Sequence, residues 1–205
     1  MKLLKHRLCI DFVNTLGWRG REVPVEHLKT YNDLIKWSRQ VGIITPQDAN
    51  KLLQKADRHP AEGKKALNSA VDLRETIHRI FAAIIERQKP AKEDLAAFNS
   101  YLAKTMVPSQ IIETKDGFDW DSNGDKSKMD WVLNPIIRSA ADLLVSNELK
   151  KVKSCSDPTC GWLFLDISRN QSRRWCDMKD CGNRAKASRF YRKKQLLKKN
   201  KSAML

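Results

Sequence analysis

Apolar residues recur at helical spacing through "KALNSAVDLRETIHRIFAAIIERQ", where Leu67, Ala70, Val71, Ile77, Ile80, Phe81, Ile84 and Ile85 form one continuous face. This is the strongest helix the pattern predicts. A second helical spacing runs through Leu28, Tyr31, Leu34, Ile35 and Trp37 and closes at Gly42. Thr45 then caps a third helix, with Pro46 at its first position and Asp48 in its first turn. Pro90 opens another, carrying Leu95, Phe98 and Leu102, and "WVLNPIIRSAADLLVSNEL" is helical from about Asn134. Two stretches read as extended chain instead. Leu8, Ile10 and Phe12 alternate, predicting a short strand that enters a loop at "GWRGRE". "IIETKDGFDWDSNGD" predicts a hairpin turning at Asp-Gly.

The chain has 205 residues, 41% hydrophobic and 31% charged, which suits a packed domain followed by a smaller module. Net charge is +15, and its distribution matters more than its sum. From Lys151 onward there are 15 Lys/Arg against 4 Asp/Glu, or +11, leaving +4 for everything before. A nearly neutral body therefore carries a basic module, which points to a polyanionic partner. No apolar run reaches the length of a membrane span, and "LCIDFV" is too short for a leader, so a cytoplasmic protein with no membrane partner is expected.

Four of the five cysteines lie in the basic quarter: Cys155, Cys160, Cys176 and Cys181. Each pair encloses four residues, and fifteen residues separate the pairs. Tetrahedral zinc takes four thiolates in this two-knuckle arrangement, and in a reducing compartment close cysteines are metal ligands more often than disulfides. The competing reading, four thiols buried as small hydrophobes, sits badly with the polar turns "CSDPTC" and "CDMKDC". One structural zinc ion is expected, in an all-sulfur site whose four thiolates leave no position for a catalytic water. "GWLFLDI" reads as a strand, "RNQS" as a turn and "RRW" as the return toward Cys176. Cys9 reads as a core residue. Such a small module folds largely through its metal.

Beyond Cys181, Asn183 is a candidate N-cap for a basic helix. On its wheel Lys186, Arg189, Arg192 and Lys193 share one side, while Ala187, Phe190 and Tyr191 lie opposite and are expected to pack on the zinc hairpin. Arg173 and Arg174 extend the positive surface. Arginines so placed contact phosphates and can reach base edges in a major groove, so duplex DNA is the expected partner. A solvated basic helix is the plainer alternative. Trp162, Phe164 and Trp175 could stack on bases, but filling the hairpin core is the simpler expectation.

In the body, Asp11, Asn14, Thr15 and Arg19 gather after the first predicted strand as candidate ligand-binding residues, together with Arg21. The simpler expectation is that Asn14 and Thr15 bond only the loop backbone. Arg74 and His78, on the strongest helix, read as edge residues. No nucleophile–base pair or paired carboxylates stand out, so an enzyme is not expected.

The segment "CSDPTCGWLFLDISRNQSRRWCDMKDCGNRAKASRFYR" resembles the CGNR zinc finger in its four cysteines, its "FLD-S" strand, "RRWC" and "CGNR". "LCIDFVNTL" and the helix from Trp131 resemble the ABATE domain that precedes this finger, with Ile10 where the usual opening has Leu. The resemblance implies a bacterial, stress-responsive transcription regulator. It makes Cys155, Cys160, Cys176 and Cys181 the zinc ligands and sets Asn183 and Arg184 at the entry to a DNA-facing helix. The expected fold is α+β and predominantly α. A helical ABATE-like domain with a small antiparallel β element spans residues 1–148, as a ligand sensor or dimerisation platform. A treble-clef or ribbon-like four-cysteine zinc hairpin with its basic helix spans 151–194, and a basic flexible tail 195–205. Nucleic-acid contacts are expected from Arg173, Arg174, Arg184, Lys186, Arg189, Arg192 and Lys193. A homodimer and a small-molecule effector are candidate partners. The alternatives are a zinc hairpin that binds RNA or protein, or an enzyme with a structural zinc.

Overall fold

A computed structural model of the chain describes residues 8–106, 110–115, 117–121, 126 and 128–202. It is mostly helical, with three separate two-stranded antiparallel sheets among the described residues. None of the described helices is long and apolar enough to cross a membrane.

The first element corrects the expected strand. Leu8–Val13 is a helix, α1, and its backbone continues with the Asn14 amide donating to the Ile10 carbonyl at 3.0 Å. The period-2 reading fails because Cys9 and Val13 are as buried as Leu8, Ile10 and Phe12. An element with five of six residues apolar and buried belongs in a helical core, and α1 packs against the later helices α4 and α6, leaving only Asp11 half-buried. Burial pushes the Cys9 thiol up to about 12, so it is an inert core group, as expected.

The helices form where their local signals lie. Thr30 caps α2 (Tyr31–Gln40) in a capping box with Asp33, and Gly42 follows at φ 77°. Thr45 and Asp48 repeat the box at α3 (Pro46–Arg58). α4 (Pro60–Ile85) buries the long apolar face, α5 (Lys92–Met106) packs on it, and α6 (Asn134–Leu144) follows a 3-10 turn at Trp131–Leu133. Arg74 is no edge residue. It is 2% exposed, and its guanidinium forks onto Glu26 at 2.7 and 2.6 Å while its Nε meets Glu75 at 2.8 Å. Burial raises both carboxyls, yet the arginine hydrogen bonds hold them below their ordinary values.

Leu16–Gly17 (β1) and Val25–Glu26 (β2) pair as a minimal hairpin whose tip carries Trp18 and Gly20. Gln110–Thr114 (β3) and Gly117–Asp121 (β4) form the hairpin expected around Asp-Gly, although Asp116 lies outside the described residues. Val152–Ser154 (β5) pairs with Leu163–Leu165 (β6). Val152, Leu163 and Leu165 belong to the same hydrophobic core as α1, α4 and α6, so the cysteine-rich segment is fused to the helical body.

Candidate metal centre and basic helix

Two polar turns bring the cysteines together. In the first, Asp157 accepts from the Thr159 amide and hydroxyl at 3.0 and 2.8 Å, and its carbonyl takes the Cys160 amide at 3.0 Å. Gly161 leaves the turn at φ 68°, and the Cys155 amide donates to the Trp162 carbonyl at 2.9 Å. In the second, Asp177 caps a π-helical turn over Met178–Gly182 through the Lys179 and Asp180 amides. The segment "RRW" returns as expected, but not as a strand. It runs beside the first turn, where the Arg174 carbonyl accepts from the Ser156 amide at 2.8 Å.

The four sulfurs lie within 4.8 Å of one another, Cys176 Sγ being 3.6 Å from both Cys160 and Cys181. Sulfurs about 2.3 Å from a tetrahedral zinc stand roughly 3.8 Å apart, so one ion can reach all four. All four thiols are free, and Cys155, Cys160 and Cys181 are buried. Crowding shows in their acidity. The hydrogen bond from Cys176 draws Cys160 down to about 6, the same contact drives Cys176 up, and burial raises Cys181 to about 12. Such a set holds protons in common until a cation replaces them. The cluster suits one structural zinc.

The residues after Cys181 each have a local task. A Cβ on Gly182 would meet the Met178 sulfur at 3.0 Å and Trp175 at 3.4 Å, so any side chain there has to push the methionine aside. Asn183 is not the N-cap; its backbone is already helical, and its side-chain amide donates back to the Lys179 carbonyl at 3.0 Å. Arg184 donates to the Cys181 sulfur at 2.9 Å, to Asp157 at 3.2 Å and to Asp180 at 2.9 Å. It thereby ties both cysteine turns to one another and places a positive charge on a ligand sulfur. Its guanidinium also lies 4.1 Å from the centre of the Trp18 ring, which Arg21 approaches at 3.7 Å.

Arg173 is engaged in the same way. It donates to the Trp175 carbonyl at 2.8 Å and to the Cys176 carbonyl, and lies over Phe164 at 4.7 Å. Sequence reasoning missed Asp166, which is fully buried and accepts from Lys153, Ser168 and the Arg173 amide. These partners outweigh its burial and hold its carboxyl far below the ordinary range. The "FLD-S" spacing was the available signal, since an Asp two residues before a Ser marks an Asx turn. Trp162 and Trp175 pack on the cysteine cluster, as expected.

α7 (Asn183–Ser202) then leaves the module. The expectation that Ala187, Phe190 and Tyr191 pack on the hairpin is overturned: Phe190 is 65% and Tyr191 64% exposed, and the two rings touch only edge to face at 5.9 Å. The hairpin is too small to cover a helix that extends past its last turn. Lys186, Arg189, Arg192 and Lys193 are exposed. Arg174 lies 5.5 Å from the Trp175 ring.

Two of the candidate ligand residues, Asn14 and Arg19, join the two segments. Asn14 pairs with β6 like an added strand, donating to the Leu163 carbonyl at 2.9 Å and accepting its amide at 3.0 Å. Thr15 donates to the Phe12 carbonyl and also accepts from Arg74, so the expectation that Asn14 and Thr15 bond only the loop backbone does not hold. Arg19 bridges Glu75 at 2.6 Å and the Val13 carbonyl, while its amide donates to Cys160. A Cβ on Gly20 would lie 2.0 Å from the Pro158 carbonyl, so the hairpin tip fits under the cysteine turn only without one. His78 sits at the same seam, and burial with Arg19 nearby lowers it to about 4.

Two family matches cover the chain in this order. Residues 6–147 match ABATE, described as "Putative stress-induced transcription regulator", and residues 151–194 match the CGNR zinc finger. Neither is described as an enzyme. No curated protein matches the chain.

Proposed function

From the premise that the chain belongs to the ABATE family and carries a CGNR zinc finger, we propose that it is a cytoplasmic, DNA-binding transcription regulator. The observation that carries the reading is α7. Between Asn183 and Gln195 it presents six Lys/Arg and no acidic residue, projecting from a metal-fixed turn and exposed from Lys186 onward. A helix of 20 residues is about 30 Å long, enough to cross a major groove. Lys186, Arg189, Arg192 and Lys193 contact phosphates or base edges, with Arg174 beside them. Arg173 and Arg184 hold the module that aims the helix. The helical body senses a ligand or joins two copies, since one helix offers few base contacts and specific sites are commonly read by dimers.

The test is binding of the zinc-loaded full chain to a genomic fragment library at physiological salt. The regulator reading expects enriched sequences, steep salt dependence, and a slope lowered by about two in Arg189→Ala/Arg192→Ala with zinc retained. No enriched sequence would overturn it. Preferential binding of single-stranded RNA would favour the second reading, for which exposed Phe190 and Tyr191 are the supporting observation.

A further inference from the structure

The hairpin tip between β1 and β2 carries an arginine that neither the core nor the metal centre uses. Trp18 stands there at φ 56°, a left-handed backbone that a bulky side chain adopts only where its surroundings hold it, and such outliers gather at functional sites. Three backbone bonds hold it. The Arg19 amide donates to the Cys160 carbonyl at 3.2 Å, the Gly20 amide to the Thr159 carbonyl at 3.3 Å, and the Arg21 amide to the Trp18 carbonyl at 2.9 Å. The tip is thereby fixed to the first cysteine turn. The Trp18 ring receives two guanidinium groups, Arg21 at 3.7 Å and Arg184 at 4.1 Å from its centre, so the two cations stand within about 8 Å of one another. They differ in what balances them. Arg184 meets Asp157, Asp180 and the Cys181 sulfur. Arg21 is exposed, and among the described residues no carboxylate pairs with it, its neighbour Glu22 included.

We propose that Arg21 contacts a backbone phosphate of duplex DNA, so that the hairpin tip of the helical body and the first turns of α7 form one interface. The proposal rests on the DNA-binding reading and goes beyond it, because it puts a contact outside the zinc finger. A helix with its side chains is about 10 to 12 Å across and a major groove about 12 Å wide, so a helix lying in the groove fills it. A group standing beside the first turn of that helix therefore meets the sugar-phosphate wall rather than base edges. Arg21 stands there, next to Arg184 on the second residue of α7. Stacking on the indole already fixes its guanidinium, so little rotamer freedom is left to lose on contact. The planar fork matches two phosphate oxygens, and the charge that no acid balances is the complement of a polyanion.

The experiment follows the zinc-loaded full chain by fluorescence anisotropy on a labelled, mixed-sequence DNA duplex, between about 50 and 200 mM NaCl. Arg21→Ala should weaken binding severalfold and lower the slope of log affinity against log salt by about one, with the same fragments enriched from the library. Arg21→Lys, which keeps a charge for the phosphate, should restore most of the slope. Lys51→Ala, which removes a cation exposed on α3, should leave the slope where it was. Zinc content and urea midpoint should match wild type in all three variants. An unaltered slope in Arg21→Ala, or an equal fall in Lys51→Ala, would overturn the proposal and leave the DNA reading standing. So would zinc loss in Arg21→Ala, which would make the residue structural. A changed set of enriched fragments in Arg21→Ala would put the residue on base edges and refute the phosphate contact. Failure of the wild type to bind the duplex at any salt is the separate outcome that sinks the DNA reading, and this contact with it.

Discussion

Arg184 and Arg189 stand five residues apart on one helix and live in different worlds. Arg184 meets Asp157, Asp180, the Cys181 sulfur and the Trp18 ring. Among the described residues, Arg189 reaches only the Ala185 carbonyl of its own helix, at 3.2 Å. The same contrast divides the cysteine-rich segment. Residues 152–182 are fastened to the helical body by shared core, paired backbone and a glycine fit; α7 leaves that body with its cations and its aromatic pair exposed. Basic residues therefore cannot be read as one surface. Those inside the fastened part position the helix, and those beyond it are available to a partner.

The contrast is broken most strongly at the metal. Cys181→Ser should abolish stoichiometric zinc and cost several kcal/mol, because metal binding is folding energy here. The unfolding midpoint of the whole chain should fall, since Leu163 and Leu165 lie in the common core. A body that melts unchanged in this variant would mean that the two segments are independent.

Acid should act next, through His78. Its folded value of about 4 lies below the ordinary 6.5, so the unfolded chain takes up the proton first. His78 thus contributes stability in full above pH 6.5, and that contribution is lost as pH falls toward 4, by about 2 to 3 kcal/mol. Urea midpoints of wild type and His78→Gln should converge over that window, the difference between them cancelling any release of zinc common to both.

Asn14→Ala removes both bonds to Leu163 and should cost about 1 to 2 kcal/mol. The faster hydrogen exchange it causes should appear at β6 rather than in α7. Arg184→Lys keeps the charge but loses the fork, and should weaken zinc affinity by about tenfold in competition with a chelator. Smallest of all, Arg189→Ala/Arg192→Ala should shift stability by less than about 0.5 kcal/mol. A larger loss would place those arginines in the fastened part.

What could be read in advance was what is local. Thr30–Asp33 and Thr45–Asp48 announce helix starts within four residues, and two cysteine pairs in polar turns announce a metal. α1 was misread because its surroundings, α4 and α6, are supplied from far along the chain; nothing within "LCIDFV" says that every residue but Asp11 will be covered. The seam was invisible for the same reason. Asn14 meets Leu163 across 149 positions, and Gly20 is required by a carbonyl at Pro158. The polar cluster at Asn14, Thr15 and Arg19 was a true signal, but only the fold reveals that the Asn14 side chain and the Arg19 amide join two segments while the Thr15 hydroxyl bonds within the body. Arg74 looked marginal on a helical wheel, because a wheel carries no trace of Glu26 arriving from β2.

The fit of Gly20 beneath Pro158 also bears on how such proteins can be recombined. A finger transplanted from a relative would have to bring a first turn that leaves room for this hairpin tip, and a receiving body would have to offer a residue without a side chain at that place. The two halves are thus inherited as a matched pair, like a key cut with its lock. Chimeras that exchange residues 151–194 alone should fold poorly, whereas those that also carry the hairpin 16–26 should keep their soluble yield.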